Sequence, residues 1–164
     1  LTRINEGLES CLYMGNLDAI RDWGHAKDYV EIQWKILQQD TPEDFVIATG
    51  RQESVRRFIE LSAKELGWGG IIWEGEGIDE IGRRADTSEI VIRIDKKYFR
   101  PCEVNSLVGD ARKANKKLGW FPKISLEELV SDMIDSDLAE AKKESFLNSQ
   151  GYPVNKKGNF FNDK

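Results

Sequence analysis

The chain predicts an α/β fold: a small lobe of alternating strands and helices followed by one long C-terminal helix. Three observations carry this. Strand-like apolar runs at 11–14, 44–49 and 71–74 alternate with amphipathic stretches, giving the order β-α-β-α-β. Helix boundaries are written into the sequence: Ser54 is placed to open a helix and Gly67 to close it. Ser125-Leu126-Glu127-Glu128 is a capping box at the head of a long apolar stripe.

In order, residues 1–6 read as the tail of a helix ending at Gly7, and 11–14 as a short strand. A helix is expected over about 25–38, with Tyr29, Val30, Gln33, Trp34 and Leu37 on one side and Trp34 in the core. Asp40-Thr41-Pro42-Glu43 breaks it. The run 44–49 is almost continuously β-type, which predicts a buried parallel strand. Val55, Phe58, Ile59 and Leu66 mark the inner face of the next helix. Residues 71–74 form a strand, 74–88 an exposed loop, and 90–95 another strand. A rigid connector follows over 98–104. Asp110 is expected to cap a short helix over 111–118, ended by Gly119. Leu126, Leu129, Val130, Met133, Ile134 and Leu138 form the stripe of the last helix, and the polar stretch 151–164 is a tail.

Composition narrows the class. The chain has 164 residues, 40% hydrophobic and 32% charged, which suits one globular domain. Its net charge of −5 and lack of a basic stripe argue against nucleic acid as a partner. No apolar run is long enough for a membrane span, so no membrane partner is expected. Cys11 and Cys102 have no metal-type spacing, and the expectation is two reduced thiols in a cytoplasmic protein with no metal site. The chain starts at Leu1 inside what reads as a helix, so a piece of a longer protein is expected.

The densest chemistry is the run Gly15-Asn16-Leu17-Asp18-Ala19-Ile20-Arg21-Asp22-Trp23-Gly24-His25-Ala26-Lys27-Asp28-Tyr29-Val30. Gly15 and Asn16 can turn the chain at a strand end. Arg21 can fork onto phosphate oxygens, and Trp23 can wall one side of a site. The run therefore reads as a strand-end loop carrying an anion-binding arginine into a helix.

This run resembles the signature of the GDP-mannose 4,6-dehydratase family, a branch of the extended short-chain dehydrogenases. Tyr98-Phe99-Arg100-Pro101-Cys102-Glu103-Val104 is similar to a second motif of that family. Val108-Gly109-Asp110 with Leu118-Gly119-Trp120 and Pro122 is similar to the C-terminal pattern of extended short-chain dehydrogenases in general. The resemblance implies the C-terminal part of a Rossmann-like NAD(P)-binding fold. Residues 1–150 would be its substrate-binding portion, without the N-terminal Rossmann domain.

The resemblance also implies a site. Arg21 and Arg100 would lie against the diphosphate of GDP-mannose. Glu103 would accept hydrogen bonds from ribose hydroxyls, and Gly15 and Asn16 would form the turn along which the nucleotide lies. The implied enzyme is a hydro-lyase of GDP-fucose biosynthesis. It uses NADP to convert GDP-mannose into GDP-4-keto-6-deoxy-mannose, and is expected to be a homo-oligomer. The family's catalytic residues and its Gly-rich cofactor loop do not occur in this segment, so no catalytic and no cofactor-binding residue is expected here, and no turnover by the chain alone. A non-catalytic nucleotide-sugar-binding module, or a piece of another nucleotide-sugar epimerase or reductase, are the alternative readings.

Three further patterns imitate function. Gly75-Glu76-Gly77 lacks the third glycine of a dinucleotide fingerprint, and Glu74, Glu76, Asp79 and Glu80 would repel a pyrophosphate. Tyr152 and Lys156 have the spacing of a catalytic pair, but Gly151 and Pro153 oppose the helix that pair needs. His25, the single histidine, reads as a hydrogen-bonding residue at a helix start.

Overall fold

The computed structural model describes residues 1–99 and 108–152. Among them run α1 (Thr2–Asn5), β1 (Leu12–Met14), β2 (Ile20–Arg21), α2 (Ala26–Leu37), β3 (Glu53–Ser54), α3 (Val55–Glu65), β4 (Ile71–Glu74), β5 (Ile81–Arg84), β6 (Ile90–Ile94), α4 (Arg112–Leu118) and α5 (Leu126–Ser149). The fold is α/β, with a mixed four-stranded sheet in the order β1-β6-β5-β4. β1 and β6 are parallel, with Leu12 opposite Ile92. β5 is antiparallel to both β6 and β4. β2 and β3 form a separate antiparallel ribbon that places Arg21 opposite Glu53.

The sheet lobe closes around Leu17, Ile59, Ala63, Trp68, Val91 and Ile92. Trp68 is fully buried, and its indole N–H donates to Asn5 Oδ1 at 2.8 Å, which ties α1 into the core. The guanidinium of Arg84 covers the same ring at 4.3 Å. α5 is strapped across this lobe. Arg3 forks onto Glu144, and Ser131 Oγ donates to Glu65 at 3.0 Å. Its capping box forms as read: Ser125 Oγ accepts from Glu128 N, and Glu128 Oε2 accepts from Ser125 N.

A second cluster gathers Ile32, Ala114 and Trp120, with Phe45, Ile47 and Ile36 against it. Trp120 donates its indole N–H to the Asp28 carbonyl, and the Asp28 carboxylate accepts from the backbone of Lys123 and Ile124. The turn after α4 is thereby pinned to the start of α2. Gly119 ends α4 in the left-handed region expected of a glycine cap.

The structure corrects several expectations. Residues 44–49 join no strand among the described residues, and Val46 stays half exposed. The 74–88 stretch is not all loop: a 3-10 turn at Gly77–Asp79 leads into β5, an inner strand of the sheet. Its sequence, Ile-Gly-Arg-Arg, hides a strand, because Gly82 makes room for Trp73 and Ile92, whose atoms a Cβ would meet at 2.8 and 3.0 Å. In α2 the buried positions are Asp28 and Ile32, while Val30, Trp34 and Leu37 face solvent. In α5, Val130, Ile134 and Ala141 are buried and Met133 is exposed. Ala111, not Asp110, occupies the cap position of α4, and Asp110 instead binds Arg112.

Candidate functional site: the signature loop at the sheet's carboxyl edge

Because β1 and β6 are parallel, their carboxyl ends open on the same edge, the usual ligand side of an α/β sheet. Gly15 leaves β1 there. A Cβ at Gly15 would collide with the Tyr98 carbonyl, so the two connectors touch with no space for a larger residue. The turn after β6 is locked by Asp95, whose N–H donates to the Met14 carbonyl at 2.9 Å and whose own carbonyl accepts from Tyr98 N at 3.0 Å. Asn16 Oδ1 accepts from Asp18 N at 3.0 Å, an Asx turn that fixes the loop direction.

Arg21 stands exposed on β2, and its Nη1 donates to the Ile20 carbonyl at 2.8 Å. Its neighbours have structural duties. The Asp22 carboxylate accepts from Thr49 N, Thr49 Oγ1 and Gly50 N at 2.7–3.0 Å, tying the 49–50 turn to the ribbon. Trp23 is fixed from both ends of its side chain. Its indole N–H donates to the Glu53 carbonyl, and its ring packs on Phe58 of α3 at 4.8 Å between centroids. His25 caps α2 as read: Nδ1 accepts from Lys27 N at 3.0 Å, and Nε2 lies 3.3 Å from Asp132. The signature thus divides into an exposed arginine, the Gly15–Asn16 turn, and side chains that clamp the loop in place.

The electrostatic clamp is one the sequence reading missed. Arg56 reaches Asp18 with Nε at 2.8 Å and Glu80 with two further N–H groups, and lies 4.7 Å above the Trp73 ring. Arg56 holds the Asp18 carboxyl below its ordinary range, and both carboxylates raise the guanidinium pKa. Without Arg56, Asp18 would set a bare negative charge on the signature loop. Separations of 38 and 24 residues leave no local pattern to find such a cluster by.

The partner positions, Arg100 and Glu103, lie outside the described residues, as do Lys156 and the connector beyond Phe99. Their approach to Arg21 is therefore untouched by the geometry above. The Gly75–Glu80 turn leads into a strand rather than a helix start, and Arg56 and Arg83 bind Glu80 and Glu74 of its carboxylates. Among the described residues no group of three metal-type side chains gathers, and no helix is long and apolar enough to cross a membrane.

A family sequence profile described as GDP-mannose 4,6 dehydratase matches residues 1–133. The chain belongs to that family. The GDP-mannose 4,6-dehydratases of Yersinia enterocolitica and Vibrio cholerae are 50% and 52% identical to it, each over 94% of this chain. The Homo sapiens GDP-mannose 4,6 dehydratase is 49% identical over 84% of it. The chain spans 44% of the length of the two bacterial relatives. Among solved structures, RMD from Pseudomonas aeruginosa complexed with NADPH superposes with a TM-score of 0.63 at 19% identity, covering 87% of this chain and 40% of that one. UDP-glucose 4-epimerase from Thermotoga maritima with UDP-glucose gives 0.60 at 24% identity, covering 85% and 38%. At that identity they speak for the α/β fold alone.

Proposed function

We propose that this chain is the nucleotide-sugar-binding portion of a GDP-mannose 4,6-dehydratase, with GDP-mannose as its ligand. The observation that carries the reading is the contact of Gly15 with Tyr98 at the carboxyl edge of β1 and β6. Both family motifs set out from that one place. Arg21, on the ribbon that follows the Gly15–Asn16 turn, and Arg100, two residues beyond Tyr98, then grip the diphosphate from two connectors with bidentate, charge-assisted bonds. The amide of Asn16 steers the nucleotide along the turn, and Glu103 accepts from the ribose hydroxyls. Arg56 contributes by neutralising Asp18, so that the approaching anion meets net positive charge.

In the whole enzyme the product would be GDP-4-keto-6-deoxy-mannose, with NADP supplying the redox chemistry when bound. The Gly75–Gly77 turn does not fit that cofactor, since it bears carboxylates and runs into a strand. NADP is assigned to the portion of the relatives that this chain does not match, and no step is derived through it.

Calorimetric titration of the chain with GDP and with UDP tests the reading. GDP binding is expected to be tighter than UDP binding. Arg21→Ala is expected to weaken GDP by about 10- to 100-fold, the loss of one charged, forked contact. Arg21→Lys should restore only part, because an ammonium cannot fork. GDP binding that ignores Arg21→Ala, or no GDP binding at millimolar ligand, overturns the reading. The chain alone is expected to show no formation of a 4-keto sugar, which an assay for the keto product checks.

A further inference from the structure

The edge that carries the signature loop carries a third turn. β5 runs antiparallel to both β6 and β4, so β4 points the same way as β6 and β1. The 75–80 turn that leaves β4 therefore lies on the same edge of the sheet as the turns after β1 and β6. It is tightly closed. Gly75 is left-handed at φ +80°, and a Cβ there would meet the Asp79 carbonyl at 2.7 Å. Glu80 ends the turn with a side chain only 12% exposed. Its two oxygens accept from Arg56 Nη1 and Nη2 at 2.5 and 3.1 Å.

Arg56 passes that grip to the signature loop. The loop hangs from the first turn of α3 by two main-chain bonds: Arg56 N donates to the Leu17 carbonyl at 2.8 Å, and Val55 N to the Ala19 carbonyl at 3.1 Å. Asp18 lies between those carbonyls, and its carboxylate takes a second fork from Arg56, with Nε at 2.8 Å and Nη2 at 3.1 Å. The Asp18 side chain is 70% exposed. An exposed pair of this kind ordinarily contributes little, because freezing a long arginine cancels most of the attraction. Here the arginine is already held. Glu80 takes one side of the guanidinium, and the Trp73 ring lies 4.7 Å from it, fixed in turn by its N–H donating to Glu60 at 3.0 Å. The fork onto Asp18 then forms at little further entropic cost.

We propose that Glu80 is a positioning residue for the nucleotide-binding loop: through Arg56 it seats residues 16–19 on α3, and with them Asn16 and Arg21. It touches no ligand itself. The inference deepens the nucleotide-sugar reading and rests on it for the ligand, GDP. The sign of the effect separates position from charge. Glu80 is a carboxylate on the edge where a diphosphate binds, so its charge alone opposes the anion. Removing it tightens GDP binding if charge dominates and weakens it if the seat dominates. Weakening is the expected result.

The test compares Glu80→Ala with Glu74→Ala, which removes an equal charge beside the same turn but from a carboxylate bound to Arg83. The amides of Val55 and Arg56 report the seat directly, because their acceptors are the loop carbonyls. Their hydrogen exchange is expected to quicken ~10-fold in Glu80→Ala, with Ile59 in α3 and Ile92 in β6 unchanged. GDP, titrated calorimetrically, should bind about 5-fold more weakly. Glu80→Gln keeps the shape and one acceptor and should recover part of both losses, whereas Glu74→Ala should cause neither. GDP bound as tightly or more tightly by Glu80→Ala overturns the proposal. So does quickened exchange that reaches Ile92, which would make Glu80 a general stabiliser. Should Glu80→Ala fail to fold, Glu80→Gln is read in its place, with an expected loss of about twofold in affinity. If the parent chain binds no GDP, or Arg21→Ala leaves its GDP binding unchanged, the nucleotide reading falls instead, and exchange at Val55 and Arg56 judges the seat by itself.

Discussion

The two cores of this chain are built from similar parts and finished differently. In the sheet lobe a buried tryptophan, Trp68, is held by a side-chain hydrogen bond and covered by a guanidinium. In the α2–α4 lobe a buried tryptophan, Trp120, donates to a main-chain carbonyl, with Ile32 and Ala114 packed against it. The first lobe is closed from above by α5. The second has one closed side and one open side, where Trp34 and Leu37 meet solvent. The candidate site sits on the closed lobe's edge and is tied to the open lobe through Asp22, whose carboxylate holds the 49–50 turn. The signature loop is thus anchored to the closed core and, through Asp22, to the half-open one.

The largest way to break the comparison is to remove each tryptophan. Trp68→Ala should cost about 3–5 kcal/mol of global stability, the usual result of emptying a core site of that size. Trp120→Ala carries the same local cost, but the open lobe should loosen by itself. Denaturant melts with exchange data separate the two. Trp68→Ala should lower protection across β1, β5 and β6, whereas Trp120→Ala should lower it in α2 and α4 first. Equal, global loss from both would show that the lobes form one cooperative unit.

Next in size is the clamp at Arg56. Removing it leaves Glu80 with a side chain only 12% exposed and no guanidinium, a loss on the order of 2 kcal/mol. The pH dependence sharpens the test. The Asp18 carboxyl lies lower in the folded chain than in the unfolded one, chiefly through its hydrogen bonds to Arg56. Its contribution is therefore fully present above the unfolded value, near 3.9, and disappears as pH falls through the lower folded value. Melting temperature followed from pH 6 to pH 3 should fall less steeply in Asp18→Asn than in the parent chain.

How much of this was legible depends on which force set each element. Local signals were read well. Ser54 and His25 cap their helices, Gly119 turns left-handed, and the strands at 71–74 and 90–94 are where the β-type runs lie. Features set by distant partners were not. β5 is a strand because Gly82 fits beneath Trp73, and its two arginines hid the pattern. The 44–49 run has the composition of a paired strand but has no pair among the described residues, and the α2 stripe was read correctly as apolar but placed inside. Both misreadings have one cause: an apolar run or stripe shows a capacity for burial, not which surface covers it. In the signature loop, Gly15, Asn16 and Arg21 were singled out by the motif alone, whereas the clamps at Asp22 and Arg56 depend on contacts that close only in three dimensions.

The smallest effect probes whether α5 serves the closed lobe as a strap or merely lies on it. Ser125 and Glu128 exchange hydrogen bonds at its first turn, and the N-terminal half of the helix carries Val130 and Ile134 into the core. Ser125→Ala removes one side-chain acceptor and should cost about 1 kcal/mol, while Ser125→Asp, which can still cap, should cost much less. If α5 is a strap, the loss appears in the global denaturant midpoint, because α3 and α1 lose their cover together with it. If the helix only frays, the midpoint stays put and exchange quickens over its first turns alone. The link from Ser131 to Glu65 and the fork of Arg3 on Glu144 bind both halves of the helix to the lobe, which favours the global response.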